Sequence, residues 1–166
     1  MKNLLLFLVF ACTFSFSCLG SPVPFSPIVR NYSVLDYNAG NENWAVAQDE
    51  RGVMYFGNNS GLLRYDGSRW RLFPLPTSGI VRAVYVASDR RIYVGSFEEF
   101  GYFEQNDLNL LEYHSLKEQV KGFDFHNDEI WTIVEQGGNI IFQSFGSYFI
   151  YDGKGTKGVR CPELPL

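Results

Sequence analysis

The chain has 166 residues, of which 46% are hydrophobic, 17% aromatic and only 19% charged, and its formal net charge is -4 at pH 7. This composition excludes a disordered chain, and the negative charge gives no general attraction for nucleic-acid phosphates, so no direct contact with nucleic acid is expected. The 15 Phe, 10 Tyr and 16 Gly residues favour strands and turns and argue against a helical bundle.

The first 20 residues have the pattern of a secretory signal peptide. Lys2 provides a positive charge, an unbroken apolar run follows, and Cys18 and Gly20 are the small residues that precede a cut before Ser21. Two alternatives stay open, namely a lipoprotein signal that uses Cys18 and an uncleaved membrane anchor. The sequence therefore predicts export with cleavage between Gly20 and Ser21, followed by a linker at 21–39 that contains a candidate closing strand.

Cys161 is the single cysteine that would remain after this cleavage, so no internal disulfide is expected. The fold must then be held together by its apolar core. A lone cysteine close to a Pro-rich end, with no base identified beside it, predicts no catalytic thiol.

Three segments beyond residue 40 repeat one pattern of apolar runs and turn residues. They begin at Trp44, Arg82 and Trp131. In each, an aromatic residue stands eight positions after an aligned residue, which is Gly57 in the first repeat, Gly95 in the second and Gln143 in the third. A fixed internal period of this kind is the mark of a repeat fold.

Within the first repeat, short apolar runs alternate with turn residues. The runs at 44–47, 53–57, 62–65 and 69–73 predict four antiparallel strands. Asp-Gly and Asn-Asn-Ser-Gly between them supply the left-handed backbone positions that tight hairpins need. Four-stranded units at a spacing of about 40 to 50 residues predict an all-β fold made of β-propeller blades. The expected blades of this propeller region, 40–166, are at about 40–75, 78–118 and 120–155.

Several motifs of the repeats resemble those of a known family, the regulator-propeller repeats of bacterial signalling receptors. The motifs are Asp49 to Gly57, Gly61 to Gly67 (GLLRYDG) with Trp70, Ser96 to Phe103 (SFEEFGYF), and Ile130-Trp131 followed by Ile141 to Phe145 and Tyr151 to Gly153. They are similar to the exported sensor regions of hybrid two-component regulators and of their LuxR-type relatives with a triple-tyrosine domain. The resemblance covers residues 40–155.

This resemblance implies a function in signal transduction. Such propellers lie outside the inner membrane, sense a ligand that is often a saccharide, and signal through a transmembrane helix to a kinase or a DNA-binding module. The expectation is therefore a periplasmic, non-catalytic sensor region that controls transcription through a module outside this chain. Contact with the membrane would be made only by a segment downstream of this chain.

The loops that join the second and third strands of each repeat are the expected ligand surface, because such loops lie on the same face as the connections between blades. Aromatic side chains there can stack on sugars, while Asn and Glu accept hydroxyl hydrogens. The candidate ligand-binding residues are Asn58, Asn59, Phe97, Glu98 and Glu99.

Two other functions are weighed against sensing. Glu98 and Glu99 are the carboxylates that a carbohydrate-active propeller enzyme would use, but adjacent residues on a strand point to opposite faces and cannot flank one bond. Only a loop conformation would rescue that arrangement. The second alternative is a scaffold that binds a protein partner.

No metal or cofactor is expected. His114 and His126 have no cysteine or acid at metal-ligand spacing. The glycines at 153–158 match the spacing of a dinucleotide fingerprint, but Pro162 follows closely and prevents the helix that would hold a pyrophosphate. A turn between blades is the expected structure of this segment.

Three blades are fewer than a closed propeller needs, since known propellers have about four to eight. The sequence thus predicts an open arc with two exposed edges, which invite pairing. Such an arc is either the front part of a larger protein or closes its ring as a homodimer.

Overall fold

The computed structural model describes residues 26–76, 79–108 and 110–161. The predicted signal segment, its cleavage site between Gly20 and Ser21, and Cys18 lie outside the described residues. The chain divides into two units, Met1–Asn31 and Tyr32–Leu166. In the first unit residues 26–31 form neither helix nor strand. All helices and strands of the described residues belong to the second unit.

The regular secondary structure in the described part of the second unit is almost entirely strand, which confirms the all-β prediction. Its elements are α1 (Val34–Tyr37), β1 (Asn43–Gln48), β2 (Met54–Asn58), β3 (Gly61–Tyr65), β4 (Trp70–Phe73), β5 (Ala83–Val86), β6 (Ile92–Gly95), β7 (Phe100–Gln105), β8 (Leu111–Ser115), a 3-10 helix (Lys117–Gln119), β9 (Thr132–Gln136), β10 (Asn139–Gln143), β11 (Ser147–Tyr151) and β12 (Thr156–Arg160).

The strands form three four-stranded antiparallel sheets in chain order, β1 to β4, β5 to β8 and β9 to β12. In the first sheet every predicted strand end is found to within one residue. The hairpin turns fall where Asp-Gly and Asn-Asn-Ser-Gly stand in the sequence, because these residues accept the left-handed backbone at Gly61 and Gly67.

The third sheet differs from expectation at its last strand. Residues 153–158 are not a turn between blades: the turn ends at Gly155, and β12 then pairs with β11 up to Arg160, beyond the expected limit of 155. The reason is that the Asp152 side chain accepts hydrogen bonds from the N–H groups of Lys154 and Gly155, which closes a tight hairpin.

The linker also differs from expectation, because residues 34–37 form the short helix α1 and no strand is present at 26–39. The carboxylate of Asp36 accepts hydrogen bonds from both the N–H and the hydroxyl of Ser33. This arrangement ties the chain into a helical turn.

The second sheet lies between the other two. Alternate residues of β6 point to opposite sides, so that Ile92 and Val94 pack toward the first sheet and Tyr93 packs toward the third. The first interface is mainly aliphatic, with Val53, Leu62 and Val81 among its members. The second contains the ring of Phe100, stacked on Phe149 and tilted against Phe142, together with Ile130, Ile133 and Ile140.

The aligned glycines have a structural reason. A Cβ atom on Gly57 would lie 2.6 Å from the carbonyl oxygen of Val81, and one on Gly95 would lie 2.4 Å from Cγ2 of Ile130. Both contacts are with the segment that leads into the next sheet. Gln143 holds the aligned position of the third sheet, where its side chain is exposed.

Aromatic side chains cover the outer face of the first sheet. Trp70 stacks on Tyr65 at 4.4 Å between ring centroids and also contacts the rings of Tyr32, Tyr37 and Phe56. Because Tyr37 belongs to α1, the segment before β1 acts as a cap on this sheet.

Candidate functional site

The first strands of the three sheets bring their leading residues together at one end of the molecule. Arg82 donates its N–H to the carbonyl of Gly95, and Trp131 does the same to Gln143, just before β5 and β9 begin. Trp44 lies in the bulge at the start of β1. These three residues and Glu129 are called the rim cluster below.

Arg82 is the centre of the rim cluster. Its guanidinium carbon lies 3.8 Å from the ring centroid of Trp44 and 5.2 Å from that of Trp131. Its Nε donates to Oε1 of Glu129 at 2.6 Å. The two indoles also meet each other edge to face, with centroids 6.4 Å apart. Since Trp44 belongs to the first sheet and Glu129 and Trp131 lead into the third, one arginine of the second sheet connects all three.

The cluster presents aromatic surface to solvent while its charges are largely covered. Trp44 is 44% exposed and Trp131 37%, and the ring of Phe145, 88% exposed, lies 5.7 Å from that of Trp131. The side chains of Arg82 and Glu129 are only 15% and 21% exposed. Exposed indoles beside polar groups form the kind of surface on which the rings of ligands stack.

Asn59 is the predicted ligand residue that lies directly against the rim cluster. Its Oδ1 accepts a hydrogen bond of 2.7 Å from Nε1 of Trp44, and its Nδ2 donates to Glu42 at 2.9 Å. Asn59 therefore fixes the orientation of the Trp44 indole.

Asn58 is placed differently, because it is fully buried inside the first sheet. Its Oδ1 accepts a hydrogen bond from the N–H of Gly40, and its Nδ2 donates to the carbonyl of Gly40 and to the side chain of Asn43. Ser96 and Ser144 hold the same position in the other two sheets. The Ser96 hydroxyl donates to the carbonyl of Ile80, and the Ser144 hydroxyl donates to Asp128 at 2.6 Å. All three residues bind the segment that leads into the first strand of their own sheet.

Phe97, Glu98 and Glu99 share one loop but face different surroundings. Phe97 is exposed, and its backbone bridges to Glu129 of the rim cluster. Glu98, in the left-handed backbone region at φ 46°, accepts a hydrogen bond of 3.1 Å from the N–H of Asn127. Its carboxylate also lies 3.8 Å from Nζ of Lys117.

Glu99 is buried within the second sheet. Its Oε1 accepts hydrogen bonds of 2.8 Å from both the Tyr113 hydroxyl and the Ser115 hydroxyl. Burial, together with the charge of Glu99, raises the pKa of Tyr113, so this hydroxyl stays protonated and keeps donating. The two adjacent carboxylates lie in the loop between β6 and β7, not on a strand as the argument from alternation assumed, and they bind different partners.

Sequence reasoning used Trp44, Arg82 and Trp131 to align the repeats but did not identify them as a cluster. The sequence pattern alone does not show that equivalent positions of successive sheets become neighbours when the sheets pack side by side. Two tryptophans and an arginine at the starts of the repeats, 13, 13 and 12 residues before the aligned positions, are the signal that would have pointed to the site.

The opposite end of the sheets contains a cavity of about 650 Å³, lined by the turns of the first two sheets. Two ion pairs lie in its wall: Arg51 lies 3.0 Å from Asp49, and Arg91 lies 2.9 Å from Glu104. Although burial raises it, the pKa of Asp49 is held below its usual range by hydrogen bonds from Val53 and Arg51. The lining of this cavity has five acidic and three basic side chains and, unlike the rim cluster, no tryptophan.

Two features are absent from the described residues. No group of three or more His, Cys, Asp or Glu side chains is arranged to hold a metal ion. No helix among these residues has the length and apolar character needed to cross a membrane.

No protein-family model matches the sequence, and no curated protein matches it. Solved structures do match. The extracellular domain of a proposed one-component system, BT4673 from B. thetaiotaomicron, gives a TM-score of 0.63 at 15% identity, over 80% of this chain and 18% of its own. Virginiamycin B lyase from Staphylococcus aureus gives 0.57 at 12% identity, over 73% and 42%. A streptogramin B lyase gives 0.58 at 17% identity, over 80% and 44%.

These likenesses establish the fold. The three sheets are three blades of a β-propeller, as the repeats predict, and they are called the first, second and third blade below. The chain spans less than half the length of each of these structures.

Proposed function

We propose that this chain is the ligand-sensing propeller region of an exported bacterial signal-transduction receptor. It binds a small molecule, in the first place a saccharide, at the rim cluster and has no catalytic activity of its own. The observation that carries the proposal is the pair of exposed indoles, Trp44 and Trp131, which meet edge to face and both lie against Arg82. The shared fold with an extracellular domain of a bacterial signalling system supports it.

The expected mode of binding follows from the contacts at the rim cluster. Indole faces stack against the C–H groups of a sugar ring, and the carboxylate of Glu129 accepts hydrogen bonds from sugar hydroxyls. Because Arg82 contacts residues of all three blades, a ligand that moves Trp44 or Trp131 changes the relative stability of blade arrangements. Binding would then shift a conformational equilibrium that a module outside this chain reports across the membrane to transcription.

The proposal is tested by titrating the full chain with a panel of neutral oligosaccharides while following tryptophan fluorescence and the heat of binding. The double variant Trp44→Ala/Trp131→Ala should bind at least about tenfold more weakly, since stacking contributes roughly 1 to 3 kcal/mol at such sites. Trp70→Phe is the matched control, because Trp70 lies in the cap of the first blade. Binding that survives the double variant would place the ligand elsewhere and refute the proposed site.

The same mixtures also test the enzymatic alternative. Product released from an oligosaccharide, and lost in Glu98→Gln or Glu99→Gln, would show a carbohydrate-active enzyme and overturn the non-catalytic proposal. Binding without any product is the expected result.

A further inference from the structure

We propose that Glu129 sets the charge selectivity of the rim cluster: it neutralises Arg82 and restricts the site to uncharged ligands. This inference rests on the proposed function, because it concerns the ligand of the same site. Its consequence is that neutral saccharides bind, whereas saccharides that carry carboxylates are rejected.

Arg82 supplies the positive charge of the rim cluster. One face of its guanidinium lies on the Trp44 ring, and its Nε is bonded to Glu129. Its Nη1 is buried and has no hydrogen-bond partner among the described residues. An unpaired buried donor of this kind would attract an anionic group if one could approach it.

An acidic ligand that approaches Arg82 in the rim cluster would meet the carboxylate of Glu129. Its carboxylate would either lie beside the carboxylate of Glu129, which repels it, or have to displace Glu129 from Arg82. Both routes make the free energy of binding less favourable, because charges at a partly buried site interact more strongly than in water. A neutral sugar ring needs neither change, since it uses the exposed indoles of Trp44 and Trp131. Rejection by a like charge is a common way to build specificity.

Contacts on both sides of Glu129 hold its backbone in place. Its backbone bridges to Phe97, and the N–H of the following residue, Ile130, donates to the carbonyl of Ser96 at 3.0 Å. The preceding residue, Asp128, is buried and bonded to Ser144. The backbone is therefore held on both sides, and the carboxylate itself is held by its bond to Arg82 and is only 21% exposed, so only a change of side-chain rotamer could take it away from Arg82.

The experiment compares wild type with Glu129→Gln on matched ligand pairs. Each pair is an oligosaccharide that contains uronic acids and the same oligosaccharide after its carboxyl groups have been reduced to alcohols. Wild type should prefer the reduced, neutral member. Glu129→Gln keeps an acceptor for Arg82 but removes the negative charge, and it should bind the acidic member about tenfold more tightly than wild type does. This gain should shrink as salt is raised.

The matched control is Glu118→Gln, which removes one exposed carboxylate from the same connection between the second and third blades. It changes the net charge by the same amount but does not touch Arg82, so the preference should stay that of wild type. Thermal unfolding shows first whether Glu129→Gln folds. If Glu129→Gln does not fold, Arg82→Gln is used instead, which removes the positive charge of the pair and leaves the negative one. This variant should increase the discrimination against the acidic member severalfold.

The outcomes separate this inference from the function on which it rests. If wild type binds the neutral member but neither charge variant changes the preference, the inference is overturned and the proposed function stands. A wild type that prefers the acidic member overturns it as well. If wild type binds neither member of any pair, and the panel of neutral oligosaccharides gives no signal, the proposed function itself fails.

Discussion

Ile141 and Phe142 are neighbours on β10, yet they lie in two very different regions of the molecule. Phe142 is fully buried between the second and third blades, with its ring centroid 4.8 Å from that of Phe100. Ile141 points to the outer face of the third blade, where it pairs across strands with Val134 and Ile150. Since β10 is apolar on both faces, the sequence alone does not reveal which face is covered.

The comparison extends to the first blade. Its outer face is covered by Tyr37 and Trp70, which belong to the cap formed with the segment before β1. Among the described residues, no comparable aromatic cluster lies on the outer face of the third blade, where Val134 is exposed. The two ends of the arc are therefore not equivalent, and substitutions on covered and uncovered faces should differ most in their effects.

The largest difference is expected between Phe142→Ala and Ile141→Ala. Phe142→Ala removes a fully buried ring from a tightly packed aromatic interface and should lower the free energy of unfolding by about 4 kcal/mol. Ile141→Ala removes a half-buried side chain from the outer face and should lower it by no more than about 1 kcal/mol. Urea unfolding of the two variants measures both values. Equal losses would show that the outer face is covered in solution.

A second pair tests the aligned position of the repeats. Gly57→Ala places a Cβ atom against the backbone of Val81 and should destabilise the fold by about 2 kcal/mol, because the connection to the second blade must move. Gln143→Ala, at the aligned position of the third blade, should change the stability by less than about 0.5 kcal/mol, since this side chain is exposed. Both values come from the same unfolding assay. A neutral Gly57→Ala would contradict the packing described here.

These pairs also show what could be predicted from the sequence. Strands and hairpin turns depend on local alternation and on residues such as Gly61 and Gly67, so the first blade was predicted to within one residue. The placement of Asn58 and Glu99 depends on which neighbouring segment covers them, and that information is not local. The rim cluster depends on the packing of three blades side by side, so Arg82 could be aligned from the sequence without its partners being known.

The difference between covered and uncovered regions should disappear at the buried serines that follow the second strand of the second and third blades. Ser96→Ala and Ser144→Ala each remove a buried hydroxyl that holds the segment leading into the first strand of its blade. Each should lower the free energy of unfolding by about 1 kcal/mol. A much smaller loss for Ser144→Ala, measured by urea unfolding, would mean that the third blade is less firmly held than the second.

The smallest effect is expected at the turns before the last strand of the first and third blades. Backbone N–H groups of Arg69 and Ser68, with the Ser68 hydroxyl, lower the pKa of Asp66 to about 2. The N–H groups of Gly155 and Lys154 likewise lower the pKa of Asp152. In both turns the carboxylate accepts hydrogen bonds from two backbone N–H groups, and Asp66 also accepts one from the Ser68 hydroxyl. Both carboxyl groups should therefore titrate below their usual range, although only the first blade is capped.

The direction of the pH effect follows from these lowered values. An unfolded aspartate has a pKa of about 4, so the charged carboxylates of Asp66 and Asp152 stabilise the folded state above that pH. For Asp66 this contribution is lost as the pH falls from about 4 toward 2, and for Asp152 it is lost below about 4. NMR titration of the two carboxyl carbons measures each pKa directly, and Asp66→Asn and Asp152→Asn should each flatten the acid side of the stability profile slightly. A carboxyl group that titrates near 4 in the folded chain would show that its turn is not formed in solution, and if only Asp152 did so, the contrast between the capped and uncapped blades would extend to their turns.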